Sequence, residues 1–200
     1  MLAARKGLNA VKEAEVEFSS SRKRASMVVR QGDGVRIYTK GAPDMLFPRV
    51  VGILDANQNL LGNDDNAPVP PILGGGEDTN MSILNRVIKH FAKQAYRTIL
   101  VTKKDMSWDD YNNLKSANND FEKEADRECL ENDLEVIGIF GLQDPLRDTI
   151  VDSIAQLKVA GITTIMCTGD NIDTAKAISL NAGILEEDDI DNEYSCLTGA

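Results

Sequence analysis

Hydrophobic residues recur at every second position near the start of the chain, a spacing typical of half-buried strands. Strands are therefore predicted for three segments rich in β-branched residues: 16–18, 25–29 and 35–39. Gln31-Gly32-Asp33-Gly34 separates the last two segments, and its turn-forming residues predict a hairpin.

Helical spacing replaces this alternation in the middle of the chain. Residues 80–97 are predicted as a helix, because its apolar side chains share one face: Ile83, Leu84, Val87, Ile88, Phe91 and Ala95. A strand is predicted over 98–102, and a polar helix with a loop over 107–129. Further helices are predicted over 2–12 and from Pro43 to about residue 51, which gives an α+β fold with an antiparallel sheet.

Residues 55–79 break the pattern with three consecutive glycines, three prolines and many Asn and Asp residues. This composition predicts a flexible surface insertion. A calcium-binding loop beginning at Asp55 is excluded, because its sixth position is Leu60 rather than Gly and its twelfth is Asn66 rather than Glu.

A second kind of pattern begins at residue 134. A strand, a helix, a strand and a helix are predicted in turn over 134–140, 146–160, 162–167 and 172–182. Short connections between them indicate a parallel βαβ unit. Two strands are fewer than a doubly wound sheet usually has, so only part of such a domain is expected here.

Composition restricts the possible functions. The chain has 200 residues, 42% of them hydrophobic, and a net charge of −10, so we expect a folded chain that does not bind nucleic acid in general. No apolar run reaches the roughly 18–20 residues of a membrane helix, and no signal peptide is expected. The three cysteines form no CxxC pair, which favours free thiols and a soluble, cytosolic chain.

Thr168-Gly169-Asp170 is the strongest local signal, because it follows a predicted parallel strand and precedes a helix. Backbone N–H groups at a helix start favour phosphate, and a bridging Mg²⁺ would reconcile the Asp170 carboxylate with that phosphate. Equally, Asp170 or Asn171 caps the helix. Both interpretations stay open at this level.

Asp144-Pro145-Leu146-Arg147 follows the preceding strand in the same way. Helix capping by Asp144 with Pro145 in the first turn explains the first two residues. It leaves Arg147 unexplained, and a guanidinium at a strand end can bind phosphate through two hydrogen bonds.

Two N-terminal features offer ligand chemistry. Phe18 precedes the basic run Arg22-Lys23-Arg24. The aromatic ring offers a stacking face and the basic run offers cations that attract phosphate. The alternative is a core Phe followed by a solvated charged turn. Lys40-Gly41-Ala42 places a lysine beside a glycine that permits close approach of a ligand.

The single histidine, His90, argues against a His-based triad, and no metal site is predicted.

Taken in order, several motifs resemble a P-type cation-transporting ATPase, most closely the plasma-membrane type of the calcium-pump branch. They are FSSSRKRAS (18–26), KGAP (40–43), YRT (96–98), LENDLEVIGIFGLQDPLR (130–147) and AGITTIMCTGDNIDTAKAISLNAGI (160–184). The last two are highly specific.

This resemblance implies a domain organisation. Residues 1–140 would form an α+β nucleotide-binding domain, an antiparallel sheet flanked by helices, with the flexible insertion at 55–79. Residues 141–200 would form part of an α/β, Rossmann-like phosphorylation domain of the haloacid-dehalogenase type. The chain would then be a cytosolic portion of an integral membrane protein.

The resemblance also implies roles for individual residues. Phe18 would stack on adenine, and the other nucleotide-binding residues would be Lys40, Gly41, Ala42, Arg97, Asp144 and Arg147. Thr168, Gly169 and Asp170 would support catalysis around the phosphorylation site and its Mg²⁺. ATP and Mg²⁺ are the implied cofactors. The implied partners are the actuator, the rest of the phosphorylation domain and the membrane helices, with no nucleic acid.

Several family motifs are absent from these 200 residues. Without DKTGT there is no aspartate to phosphorylate, and without GDGxND the main Mg²⁺ carboxylates are missing. The isolated chain is therefore expected to bind nucleotide without turnover, whereas the whole pump would move a cation, Ca²⁺ by its motifs, through an aspartyl-phosphate. The alternatives are a non-catalytic interaction module and a soluble phosphatase, whose DxD motif would have to be Asp189-Ile190-Asp191.

Overall fold

The computed structural model describes residues 10–190, 192 and 194–198. These residues form two compact units. Unit 1 contains the described residues up to Ile83 together with Ile99–Phe140, and unit 2 contains Leu84–Thr98 and the described residues from Gly141 onward. Each unit is described by itself below.

The main element of unit 1 is a mixed sheet of seven strands: β1 Ala10–Val16, β2 Arg24–Gln31, β3 Gly34–Gly41, β4 Val50–Leu54, β5 Leu60–Gly62, β8 Tyr96–Ser107 and β9 Leu134–Gln143. Across the sheet they lie in the order β1-β2-β3-β8-β9-β4-β5. The predicted hairpin is confirmed, since Gln31 pairs with Gly34 across a two-residue turn. The pairing of β4 with β9 is parallel, so the sheet is not antiparallel throughout as predicted.

Two segments near the start of the chain that were predicted as helices differ from the prediction in their described residues. Ala10–Val16 forms β1 and pairs with β2, whereas the helix was predicted over 2–12; residues 2–9 lie outside the described residues. The helix expected after Pro43 is one short turn, α1 Pro43–Leu46, followed by a 3₁₀ turn, Phe47–Arg49. Pairing with β2 overrides the local helical pattern at residues 10–12, whereas the helix predicted after Pro43 is present but shorter.

Side chains alternate between buried and half-buried along most of β2 and β3, as the period of two predicts. At the hairpin end their inward residues are apolar, and a helix, α3 Trp108–Ala117, covers them. The core there consists of Val28, Val35, Ile37, Tyr111, Phe121 and Leu130. Ser107 caps α3 by accepting a hydrogen bond from the Asp110 N–H at 3.0 Å.

At the other end of the same strands the inward residues are polar. Arg24 is 2% exposed and Glu131 is fully enclosed. The Arg24 Nε donates to Glu131 Oε2 at 2.6 Å, and the Ser26 hydroxyl donates to Glu131 Oε1 at 2.6 Å. Ser26 also hydrogen-bonds Thr39 at 2.9 Å, which links the carboxylate to β3. The buried face therefore changes from apolar to ionic along its length.

Residues 55–79 contain more structure than the predicted loop. β5 forms a hairpin with β4, and two further strands, β6 Asn66–Pro68 and β7 Glu77–Thr79, pair with each other. A 3₁₀ turn, Pro71–Leu73, lies between β6 and β7. Three-residue strands of this kind leave little periodicity to detect, and the flexibility of this insertion stays a prediction.

Unit 2 contains most of a helix, α2 Asn80–Lys93, together with α4 Ile150–Val159 and α5 Ile172–Asn181. The helices predicted over 80–97 and 172–182 are confirmed, and Ala95, at a φ of +60°, lies just beyond the end of α2. Within the described residues no helix has the length and apolar character to cross a membrane.

Of the βαβ arrangement predicted from residue 134, the first strand and both helices are present, but the second strand and the expected strand pairing are wrong. The first predicted strand is β9, which lies between β8 and β4 in the sheet. Residues 162–167 form no strand and pair with none of the described strands. Their apolar sequence suits a buried strand, but a strand needs a neighbour for its backbone hydrogen bonds, and Ile165 is 83% exposed.

Replacing Ile37 tests the apolar core. Ile37 is fully buried, so Ile37→Ala is expected to lower the free energy of unfolding by about 2–5 kcal/mol. Urea unfolding followed by fluorescence of Trp108, which packs on this core, measures it. Ile72 is 73% exposed, and Ile72→Ala as the control is expected to change stability by less than about 0.5 kcal/mol.

Acid should remove the contribution of Glu131. Burial opposes its ionisation, but hydrogen bonds from Ser26, Arg22 and Arg24 outweigh burial and hold its pKa below the ordinary value. A lowered pKa stabilises the fold above the unfolded-state pKa of about 4.3 and loses this effect as pH falls through the lowered value.

Urea unfolding of wild type and Glu131→Gln at pH 7 and at lower pH measures this effect. The wild type is expected to be more stable than Glu131→Gln at pH 7, and the difference between their free energies of unfolding is expected to shrink below about pH 4.3. A difference that is constant with pH would contradict a lowered pKa.

Candidate functional site

Phe18 lies on the connection between β1 and β2, which we call the Phe18 loop (residues 17–23). Its ring is 65% exposed, so the alternative of a core Phe is wrong. The loop closes on itself through a hydrogen bond from the Lys23 N–H to the Ser19 carbonyl at 2.8 Å. Lys23 adopts a left-handed φ of +48°, which turns the chain from the loop into β2.

The basic run next to Phe18 is bound to acidic residues. Arg22 pairs with Glu131 and with Glu124, the latter at 2.7 Å from Nη1 to Oε1. The Arg24 Nη2 lies 3.1 Å from Glu128 Oε1, in addition to its contact with Glu131. Arg22 therefore connects the Phe18 loop, and Arg24 connects β2, to the segment 124–131. The alternative of a solvated charged turn does not hold for these two arginines, because carboxylates compensate their charges.

Lys40 and Gly41 end β3 on the side of the Phe18 loop. The Lys40 side chain is exposed. Gly41 pairs with Arg24, and a Cβ at Gly41 would lie 2.6 Å from both the Arg24 Cβ and the Lys23 carbonyl oxygen. Only glycine permits this approach. Ala42 donates its N–H to the same Lys23 carbonyl at 3.0 Å, so the Phe18 loop and the Lys40 segment are directly connected.

Arg97, Thr168 and Asp170 are brought together in unit 2. The Arg97 Nη2 lies 3.3 Å from Asp170 Oδ2, and the Thr168 hydroxyl donates to the same oxygen at 2.9 Å. Thr168 and Gly169 are exposed, and the Asp170 backbone N–H donates to the Thr168 hydroxyl at 3.1 Å. The result is a small polar cluster of one cation, one carboxylate and one hydroxyl.

Capping is assigned by the structure. Asn171 is the N-cap of α5, because its side chain accepts a hydrogen bond from the Asp173 N–H at 2.9 Å. Asp170 is therefore not the cap and remains available to Arg97. The capping role predicted for Asp144 is wrong, since α4 begins at Ile150 with Thr149 as N-cap. Asp144 and Arg147 both lie exposed in the connection from β9.

Sequence reasoning missed Glu131. It lies in a polar stretch, within a 3₁₀ segment, Ala125–Glu131, where a carboxylate is usually solvated. Its partners are more than 100 residues away in the chain, so no local pattern could identify it. The one usable signal was the pair of nearby arginines, Arg22 and Arg24, because arginines that become buried in the fold need acidic partners.

Among the described residues, no group of three or more His, Cys, Asp or Glu side chains could hold a metal ion. Asp170 is the one carboxylate in the polar cluster with Arg97 and Thr168, and a cation already pairs with it. Taken by themselves, these residues do not fit a resident Mg²⁺ ion.

Comparison with known proteins gives curated relatives over most of the chain. Calcium-transporting ATPase 2 of Cryptococcus neoformans is 32% identical over 170 residues, covering 84% of this chain and 11% of that protein. Plasma membrane calcium-transporting ATPase 4 of Homo sapiens is 32% identical over 188 residues, covering 91% and 13%. The calcium-transporting ATPase of Bacillus subtilis is 33% identical over 173 residues, covering 86% and 16%.

The chain thus spans between about a tenth and a sixth of the length of these relatives. The family model described as P-type ATPase, cytoplasmic domain N, matches residues 4–149, which is well over half of the chain. This match includes the Phe18 loop, the Lys40 segment, Arg97 and Glu131. The chain belongs to the P-type ATPase family, and its residues 4–149 correspond to cytoplasmic domain N of that family.

Proposed function

We propose that this chain is the ATP-binding portion of a P-type pump, and that Phe18 binds the adenine ring. The observation that carries this proposal is the Phe18 side chain, a large aromatic ring left 65% exposed on a loop that is hydrogen-bonded at both ends. An exposed aromatic face on an ordered loop stacks on a nucleobase at little entropic cost.

Within unit 1, Lys40 supplies a cation for the nucleotide phosphates, with Gly41 and Ala42 as its neighbours. The Lys40 ammonium is exposed, whereas Arg22 and Arg24 are paired with carboxylates. Of the basic residues on these two connected segments, Lys40 therefore suits a new anion better than either arginine.

Within unit 2, Arg97 supplies a second cation. Its ion pair with Asp170 joins side chains that are 56% and 22% exposed, and such pairs contribute only about 0–1 kcal/mol. A nucleotide phosphate can displace the carboxylate at small cost. Asp144, Arg147, Thr168 and Gly169 are exposed and complete the proposed set of nucleotide-binding and supporting residues. Mg²⁺ would enter with the nucleotide and with carboxylates of the whole protein.

For the whole protein we propose a pump that hydrolyses ATP through an aspartyl-phosphate and moves a cation across a membrane. The relatives described above are calcium-transporting ATPases, which supports Ca²⁺ as that cation. Residues 1–140 would be its nucleotide-binding domain and 141–200 a part of a Rossmann-like phosphorylation domain, with the actuator and membrane helices elsewhere. The chain alone would not hydrolyse ATP.

Titration of ATP and adenosine into the chain, by calorimetry or NMR, tests this proposal. Phe18→Ala is expected to weaken both ligands by roughly 5- to 150-fold, because base stacking contributes about 1–3 kcal/mol. Lys40→Ala is expected to weaken ATP about tenfold and adenosine little, since it removes only a charge-assisted contact to phosphate.

Phe140→Ala is the matched control, because Phe140 is also an exposed phenylalanine, at 60%, and belongs to the same unit. It is expected to change neither affinity by more than about twofold. No ATP binding by the folded wild type at millimolar concentration would contradict the proposal and favour a non-catalytic interaction module.

A soluble phosphatase is the weaker alternative. Asp189 lies in a 3₁₀ turn, Glu187–Asp189, instead of at a strand end, and Asp191 lies outside the described residues.

A further inference from the structure

A buried carboxylate lies behind both nucleotide-binding segments proposed for unit 1. Glu131 is fully enclosed, yet three donors reach it, from Arg22, Arg24 and Ser26. No solvent-borne ligand can contact a side chain that is 0% exposed. Any part that Glu131 plays in binding must therefore be exerted through the two arginines.

The first path runs through Arg22 to Phe18. The Arg22 guanidinium contacts Glu131 with Nη2, and its Nη1 donates to the Glu17 carbonyl at 3.1 Å and to Glu124 Oε1 at 2.7 Å. Glu17 directly precedes Phe18. One guanidinium thus connects the enclosed carboxylate to the backbone that carries the exposed ring.

The second path runs through Arg24 to the Lys40 segment. Arg24 contacts Glu131 with Nε and lies opposite Gly41 in the hairpin register. The missing Cβ of Gly41 lets Arg24 and the Lys23 carbonyl approach β3, and that carbonyl accepts the Ala42 N–H. The position of Arg24 therefore determines how the Phe18 loop meets the Lys40 segment.

Stability alone does not require a charge at this place. Apolar side chains of similar volume stabilise a protein core as well as a buried ion pair, or better. A hydrocarbon cannot, however, hold two guanidinium planes in fixed orientations, whereas a carboxylate accepts directed hydrogen bonds on both oxygens. The Phe18 loop, which contains Arg22 and directly precedes Arg24, gains a defined position from that geometry.

From these contacts we infer that Glu131 is a positioning residue for nucleotide binding, which holds the Phe18 loop and the Lys40 segment in place through Arg22 and Arg24. This role rests on the proposed function, since it assumes that Phe18 binds the base. It adds a residue that never touches the ligand and lies more than 100 residues from the loop it positions.

Glu131→Gln tests this role in the 200-residue chain, because it keeps the side-chain size and removes the charge. ATP affinity is measured by calorimetry, and the order of the Phe18 loop by NMR relaxation and hydrogen exchange of the Phe18 and Lys23 amides. The variant is expected to bind ATP roughly tenfold more weakly, with faster motion and exchange in the loop. Amides of β3 around Ile37 should keep their protection.

Arg22→Gln is the second variant, since loss of Glu131 risks unfolding while Arg22→Gln leaves the Arg24–Glu131 pair intact. It should loosen the loop and weaken ATP in the same way. Arg36→Gln is the matched control, because Arg36 also makes a two-point ion pair, with Asp105 at 2.6 and 2.9 Å. Arg36 pairs with Val29 in the sheet register, away from the loop, and its loss should leave ATP affinity and loop order unchanged.

The outcomes separate the two proposals. Failure of the wild type to bind ATP overturns the proposed function and, with it, this role. If the wild type binds and a folded Glu131→Gln or Arg22→Gln keeps both affinity and loop order, the positioning role alone is overturned. A general loss of protection that Arg36→Gln reproduces would also overturn it, because Glu131 would then act only on stability.

Discussion

The ion pair between Arg24 and Glu131 is the interaction on which the rest of unit 1 depends. Both side chains are removed from water, which costs several kcal/mol per charge unless hydrogen bonds compensate. Here Ser26 and Arg22 complete the set of donors around the carboxylate. The segment 124–131 is thereby attached to the sheet at the place where the apolar core ends.

The same constraint explains why one buried face has two chemical characters. Val28 and Ile37 pair at its apolar end, whereas Ser26 and Thr39 pair one step along the same side of the hairpin. The Thr102 hydroxyl donates to the Thr39 carbonyl at 3.0 Å and extends the polar row to a third strand. Supporting groups are thus buried, while Phe18 and Lys40, which carry the proposed ligand chemistry, project outward.

The sequence predicted those parts of the fold that depend on neighbours in the chain. The β2–β3 hairpin follows from alternation and from turn residues, and α5 from helical spacing with a glycine after its end. Residues 10–12 were assigned to a helix because alternating Ala, Val, Lys and Glu suit a helix or an edge strand, and pairing with β2 decides between them. At residues 162–167 the strand prediction was wrong for the opposite reason: the apolar pattern suits a strand, but no neighbouring strand pairs with it.

The candidate site divides in the same way. Phe18, Lys40 and Arg97 were recognisable from short motifs, because the residues that identify each of them are its immediate neighbours in the sequence. Glu131 was not, because its importance lies in contacts with residues far away in the chain. The pairing of Arg97 with Asp170 likewise joins residues 73 positions apart.

These long connections affect how the protein is made. β1, β2 and β3 come from one contiguous stretch of the chain, but β4 receives its parallel partner only when β9, Leu134–Gln143, has been synthesised. Glu131 follows Arg24 by 107 positions in the chain. On the ribosome, the β2–β3 hairpin must therefore wait with Arg24 unpaired until Glu131 has emerged. Slower translation between β3 and Glu131 would prolong that interval.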